Sequence, residues 1–189
     1  MVCGGPLAKG EECLCTRCNI GLPRTGYHRI KNNLVEQLFL GKIPLERATA
    51  YFFYQRGSDF CHIIHQLKYG GQKEIGEAMG RYMAAELLSS GFFEGVDVIV
   101  PVPLHKKKQK LRGYNQSEWI ARGISAITSI PVETSGVVRE KNTETQTRKS
   151  LFERWENVDG IFHLVTPEFF VGKHILIIDD VLTTGATTV

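Results

Sequence analysis

Long apolar runs are missing from this chain. No stretch of about 18 apolar residues occurs in its 189 positions, so no helical membrane span is expected. The start lacks a basic segment followed by an apolar core, so no secretory signal is visible and the cytoplasm is the expected compartment. Charge of one sign is lacking too. The formal net charge of +3 is too mild to argue for nucleic-acid binding by itself. Cysteine is scarce after position 18, where only Cys61 remains, set in a helical pattern that reads as a small core residue. His62 and His65 share a helix face at i,i+3, but no third ligand stands with them, so they read as surface or packing residues. His28 reads as a lone surface histidine. What is present, 42% hydrophobic and 23% charged residues, suits one core plus a small appendage.

That appendage is cysteine-rich. The stretch "MVCGGPLAKGEECLCTRC" holds Cys3, Cys13, Cys15 and Cys18. Cys15-x-x-Cys18 has the knuckle spacing of a zinc site, and Gly4, Gly5 and Gly10 suit the tight turns of a zinc ribbon. In a cytosolic chain metal binding outweighs disulfides. Cys3 lacks the partner three residues upstream that a paired knuckle needs; that position falls one residue before Met1. Cys13 is the candidate fourth thiolate, although Cys13, Cys15 and Cys18 crowd one short loop. The expectation is a structural Zn²⁺ ribbon, intact or crippled, against a reduced, metal-free segment. A ribbon this small would not stay folded without its metal.

The middle of the chain reads as alternating elements. Leu34, Val35, Leu38 and Phe39 predict a short hinge helix ended by Gly41 and Pro44. Residues 51–54 predict an aromatic strand. "SDFCHIIHQLKYGG" predicts a helix capped by Ser58 or Asp59, with Phe60, Ile63, Ile64 and Leu67 on one face and a stop at Gly70. A second helix, residues 73–90, carries Ile75, Met79, Tyr82, Met83 and Leu87 as its stripe. Residues 96–100 predict a buried strand ended by Pro101 and Pro103. A basic loop follows, with Lys106, Lys107, Lys108, Lys110 and Arg112, then a bend at Gly113 and a helix bearing Trp119, Ile120 and Ile124 inward. Lysine runs are usually solvated turns, and this one holds no interleaved aromatic before Tyr114. Its place at a strand's carboxyl end lets it face an anionic ligand.

The segment "ILIIDDVLTTGATTV" is the most chemically loaded. Residues 175–178 form an aliphatic run that predicts a parallel strand covered on both faces. Asp179 and Asp180 stand at its carboxyl end, where open α/β sheets place ligands. Adjacent carboxylates repel each other and suit hydroxyls or a hydrated cation. Thr183, Thr184, Gly185, Ala186 and Thr187 form a small hydroxyl-rich loop able to cradle a phosphate with backbone N–H groups. This pattern closely resembles the motif of type I phosphoribosyltransferases that binds 5-phosphoribosyl 1-diphosphate (PRPP).

"H-Q-L-K-Y-G", "P-V-P-L-H…R-G-Y-N-Q", "Q-T-R-K-S-L-F-E-R-W-E-N-V-D-G-I-F" and "I-D-D-V-L-T-T-G-A-T" follow in that order behind the cysteines. Together they resemble the ComF family, phosphoribosyltransferase-like proteins linked to natural competence and DNA uptake, over essentially the whole chain. The resemblance implies an α/β fold: a type I phosphoribosyltransferase-like parallel sheet flanked by helices, with a small N-terminal zinc ribbon. Residues 1–45 would be ribbon and hinge helix, and residues 46–189 the phosphoribosyltransferase-like domain. The incomplete first knuckle and the end at Val189 lead to the expectation of a piece of a longer protein, cut at both ends and poorly competent in this form. Asp179 and Asp180 would hold the ribose hydroxyls of PRPP, and residues 183–187 its 5′-phosphate. Val102, Pro103 and Leu104 match the pyrophosphate loop, with Lys106, Lys107, Lys108 and Arg112 as candidates for stabilising the leaving group. A Mg²⁺ ion would accompany PRPP. Lys68 and Tyr69 could reach the same pocket. Arg139, Gln146, Arg148, Arg154 and Asn157 are possible ligand contacts from a polar lid, against a solvated hood. Three functions follow: a phosphoribosyltransferase acting on an unknown nitrogen acceptor, a PRPP- or nucleotide-binding regulator, or a module handling single-stranded DNA with competence-machinery partners.

Overall fold

A computed structural model describes residues 3–55, 57–141 and 161–183. Two parallel strands form its centre, β1 (Val98–Pro101) and β4 (Ile175–Ile178), with Val98 opposite Ile175 and Pro101 opposite Ile178. A second, antiparallel pair joins β2 (Val137–Arg139) to β3 (Phe162–Leu164). The other edge of β1 meets residues 131–133: the Ile99 N–H donates to Pro131 O and the Glu133 N–H to Ile99 O, each at 2.9 Å. β1 is therefore the inner strand, which explains its complete burial.

One face of this sheet is covered by α6 (Gln116–Thr128), itself packed on α4 (Lys73–Leu88). Ala84, Leu87, Phe92, Phe93, Ile99, Ala121, Ile124 and Ile178 form the core between them. The two helices touch backbone to backbone. A Cβ on Gly80 would collide with the Ile120 carbonyl, and one on Gly123 with that of Glu77, so glycine fixes the approach. Trp119 stays at the rim, its ring 4.6 Å from Lys73 Nζ and 5.2 Å from the Arg122 guanidinium.

A second apolar cluster joins the N-terminal segment to the helices: Leu14, Cys18 and Leu22 pack with Ile63 of α3 (Cys61–Tyr69) and with Ile75 and Met79 of α4. Ion pairs Arg24–Glu86 (2.7 Å) and Arg81–Glu12 run beside it. The expected hinge helix is α2 (Leu34–Phe39), closed by a capping box between Asn33 and Glu36. No helix among the described residues is long and apolar enough to cross a membrane.

Several expectations change. The basic "loop" is a helix, α5 (Lys106–Arg112): His105 Nδ1 accepts the Lys107 N–H at 3.2 Å, and Gly113 ends it at φ 81°. Lysine, glutamine, leucine and arginine are good helix formers, and propensity outweighs charge crowding over two turns. Among the described residues, residues 51–54 make one bridge, Arg24 to Phe52, and Tyr51 and Phe52 pack against the second cluster. α3 starts at Cys61, with no side-chain cap from Ser58 or Asp59. Cys61 is half-buried rather than in the core, its thiol donating to Gln55 O at 2.6 Å. β4 is not covered on both faces by the described elements, since α6 lies on one side and Ile177 is 49% exposed on the other.

Candidate functional site at the strand ends

The carboxyl ends of β1 and β4 lie side by side, and the residues after each strand are laced together. The Val102 N–H donates to Ile178 O at 2.8 Å. Asn115 caps α6, accepting the Ser117 N–H at 3.2 Å, and its Nδ2 donates to Val102 O at 3.0 Å. The first turn of α6 is thereby fixed over the end of β1. From there Ser117 Oγ donates to Asp179 Oδ1 at 3.3 Å, and the Asp180 N–H donates to the same oxygen at 2.8 Å.

The two acids differ in their surroundings. Asp180 pairs with Lys68 Nζ at 2.9 Å, and both side chains are mostly buried. Among the described residues Asp179 has no such lysine in contact. Burial first, and the charge of Asp180 second, push its carboxyl from 3.8 up to about 6, against the pull of the Asp180 N–H, Lys68 and Ser117. A desolvated acid beside a second carboxylate, at a strand's carboxyl end, is a chemically primed pair. It suits a ligand that brings hydroxyl donors.

α3 closes one wall through three consecutive residues. Leu67 O accepts the Tyr114 hydroxyl at 2.5 Å, Lys68 reaches Asp180, and the Tyr69 ring lies 5.4 Å from the Arg112 guanidinium. Arg112 Nη1 also donates to Gln116 Oε1 at 2.8 Å. The end of α3 thus serves both: Lys68 reaches the acid pair, and the next residue, Tyr69, meets Arg112. Val102 is buried, with Pro103 and Leu104 half-buried behind it. Lys106 and Lys107 are exposed on α5 and Lys108 is half-buried. Arg139 on β2 is half-buried above the Phe162 ring, where burial lowers its pKa and the nearby charge of Asp179 opposes that fall. Thr183 is exposed. Thr184, Gly185, Ala186 and Thr187 lie outside the described residues, as do Gln146, Arg148, Arg154 and Asn157.

Sequence reasoning missed Asn115, Gln116 and Ser117, which are 7%, 1% and 4% exposed. The signal was present: three polar residues in a row at the start of an amphipathic helix.

The cysteines form a separate centre. Cys3, Cys15 and Cys18 place their sulfurs within 4.8 Å of one another, with Cys3 Sγ 3.6 Å from Cys15 Sγ. A tetrahedral zinc with Zn–S near 2.3 Å sets its sulfurs about 3.8 Å apart, so these three thiols fit. Cys13, the candidate fourth ligand, stands outside the cluster. It packs against the second apolar cluster, where burial and Glu12 push its thiol up to about 11. Among the described residues no other histidine, cysteine or carboxylate joins the three.

No family model matches the chain, and no solved structure matches it. Curated relatives do. The chain is 31% identical over 183 residues, 95% of its length and 76% of the relative's, to the DNA utilization protein YhgH of Escherichia coli O6:H1. Competence protein F of Haemophilus influenzae is 37% identical over 92 residues, 48% of this chain and 40% of the relative. Competence protein ComFC of Bacillus subtilis is 34% identical over 90 residues, 48% of this chain and 34% of the relative. The chain belongs to the ComF family. Membership in the ComF family places it among competence and DNA-utilization proteins.

Proposed function

We propose that this ComF-family chain binds PRPP at the ends of β1 and β4, in a type I phosphoribosyltransferase-like domain spanning residues 46–189. The supporting observation is the acid pair: Asp180 held by Lys68 at 2.9 Å, and Asp179 desolvated against the start of α6. Two acceptor-rich side chains so placed suit the 2′- and 3′-hydroxyls of a ribose. Residues 183–187 would take the 5′-phosphate through backbone N–H groups. Val102, Pro103 and Leu104, with Lys106, Lys107, Lys108 and Arg112, would face the diphosphate. Mg²⁺ would accompany PRPP and supply charge neutralisation at the diphosphate, with Asp179 and Asp180 the nearest carboxylates on the protein side.

With this arrangement the protein orients C1 of the ribose and balances negative charge on departing pyrophosphate, while a nitrogen acceptor attacks. A regulator that binds PRPP or a ribonucleotide without turnover would use the same contacts. Residues 1–45 would form the zinc-ribbon-like segment and hinge helix, with Zn²⁺ on Cys3, Cys15 and Cys18 as a structural ion. The cytoplasm, with competence-machinery partners, is the setting this reading requires.

The test is calorimetric titration of PRPP with Mg²⁺ into the chain and into its Asp179→Asn/Asp180→Asn double variant. Binding by the first and none by the second supports the pocket; equal binding removes it. A second reading, single-stranded DNA handling, is favoured by the relatives' names and by α5, which exposes Lys106, Lys107 and Lys110 and whose Arg112 lies 5.4 Å from the ring of Tyr69, itself 67% exposed. DNA binding there would weaken steeply with salt, whereas pocket binding would depend on Mg²⁺ and compete with free pyrophosphate.

A further inference from the structure

Four polar residues are buried among the described ones: Asn33, Asn115, Gln116 and Ser117. Burying a polar group is costly unless it is bonded, so each calls for an account. Asn33 caps α2, and its Nδ2 donates to Ala48 O. Asn115 is settled on Val102 and Ser117, and Ser117 on Asp179. Gln116 is half settled. Its Oε1 accepts from Arg112, but its Nε2 has no acceptor among the described residues, although the side chain is 1% exposed. Buried amide donors left this way are rare in folded proteins.

Gln116 stands between a residue tied to the end of β1 and a residue tied to Asp179, in the turn of α6 that is fixed over the strand ends, and its side chain meets Arg112. It opens a thirteen-residue helix, whose N-terminus favours negative charge. Beside it is the Arg112 guanidinium, which is half-buried and rests on the face of Tyr69. An amide N–H and a guanidinium together call for a compact group that only accepts hydrogen bonds and carries negative charge. Full burial of the amide argues against a polymer's phosphodiester and for a compact terminal phosphate.

We infer that Gln116 is a specificity-determining residue: its Nε2 donates to an oxygen of a bound diphosphate group, while its Oε1 aims Arg112 at the same group. The inference rests on the diphosphate-binding reading of the pocket. The probe that tests it is inorganic pyrophosphate with Mg²⁺, titrated calorimetrically into the full chain and into Gln116→Glu and Gln116→Met. Glu keeps an acceptor for Arg112 but removes the donor; Met removes both. Loss of one charge-assisted hydrogen bond predicts affinity lower by about tenfold to a hundredfold in each variant. Pyrophosphate affinity unchanged in a folded Gln116→Met chain overturns the inference and leaves the PRPP reading standing. Should both variants unfold, the side-chain amide resonances of Gln116 in the unmutated chain decide: they must shift on adding pyrophosphate, and unmoved signals overturn the proposal. PRPP run alongside separates the two ideas. Pyrophosphate bound without PRPP removes the PRPP reading while the Gln116 comparison still stands; neither bound overturns both.

Discussion

Replacing Asp179 by Asn tests whether the acid pair is held at a cost to the fold. The two hydrogen bonds that the described residues give this carboxyl, from Ser117 Oγ and the Asp180 N–H, fall on Oδ1, so an amide keeps them while losing the charge. Burial and Asp180 raise the carboxyl from 3.8 to about 6. At ~1.36 kcal/mol per pKa unit, that corresponds to a folded-state cost of about 3 kcal/mol once the group is ionised. The folded value lies above the unfolded one, so the contribution favours folding fully below about pH 4 and fades as pH rises toward about 6. Asn stays neutral throughout. Asp179→Asn should therefore be more stable than the unmutated chain by about 1–3 kcal/mol at pH 7.5, with the gap shrinking at pH 4.5. Urea unfolding at pH 4.5, 6 and 7.5, followed by tryptophan fluorescence, measures it. A variant less stable at pH 7.5, or a gap that ignores pH, would refute the reasoning. The same substitution should cost PRPP affinity, as expected when a site trades stability for function.

Lys68→Met leaves Asp180 without its cation in a mostly buried setting and should destabilise by about 1–3 kcal/mol. The Lys68→Met/Asp180→Asn chain should recover most of that in urea unfolding; a double variant as weak as the single would mean the pair matters little. Gly123→Ala gains about 1 kcal/mol of helix propensity, but its Cβ meets the Glu77 carbonyl. Overpacking of about 1–3 kcal/mol should win, and a raised melting temperature would show that α4 and α6 can separate freely. Zinc measured by mass spectrometry on purified protein should be lost in Cys15→Ser and kept in Cys13→Ser, since Cys13 stands outside the thiol cluster; equal loss in both would move Cys13 into the ligand set.

What sequence reasoning reached follows from how local each feature is. The aliphatic run of β4, its acid end and the stripe of α4 are written in spacing, and they form as expected. The thiol cluster was legible from Cys15-x-x-Cys18, yet that Cys3 joins it while Cys13, the expected fourth thiolate, stands outside depended on which way the backbone turns each of them. α5 was misread because a lysine run looks like a solvated loop, while the capping His105 is a residue type rarely counted as a cap. Exposure of Ile177 depends on what lies on the far face of the sheet, about which its own strand says nothing. The first turn of α6 is the sharpest case. A polar Asn-Gln-Ser run reads as an exposed helix start, and only contacts spanning long separations, such as the 62 residues between Ser117 and Asp179, turn it inward. Polar residues buried by such contacts have their cost met by partners distant in sequence. Where one of them still lacks a partner among the described residues, as the Gln116 amide does, the missing acceptor is best sought in a ligand, because the fold has supplied acceptors for its neighbours on both sides.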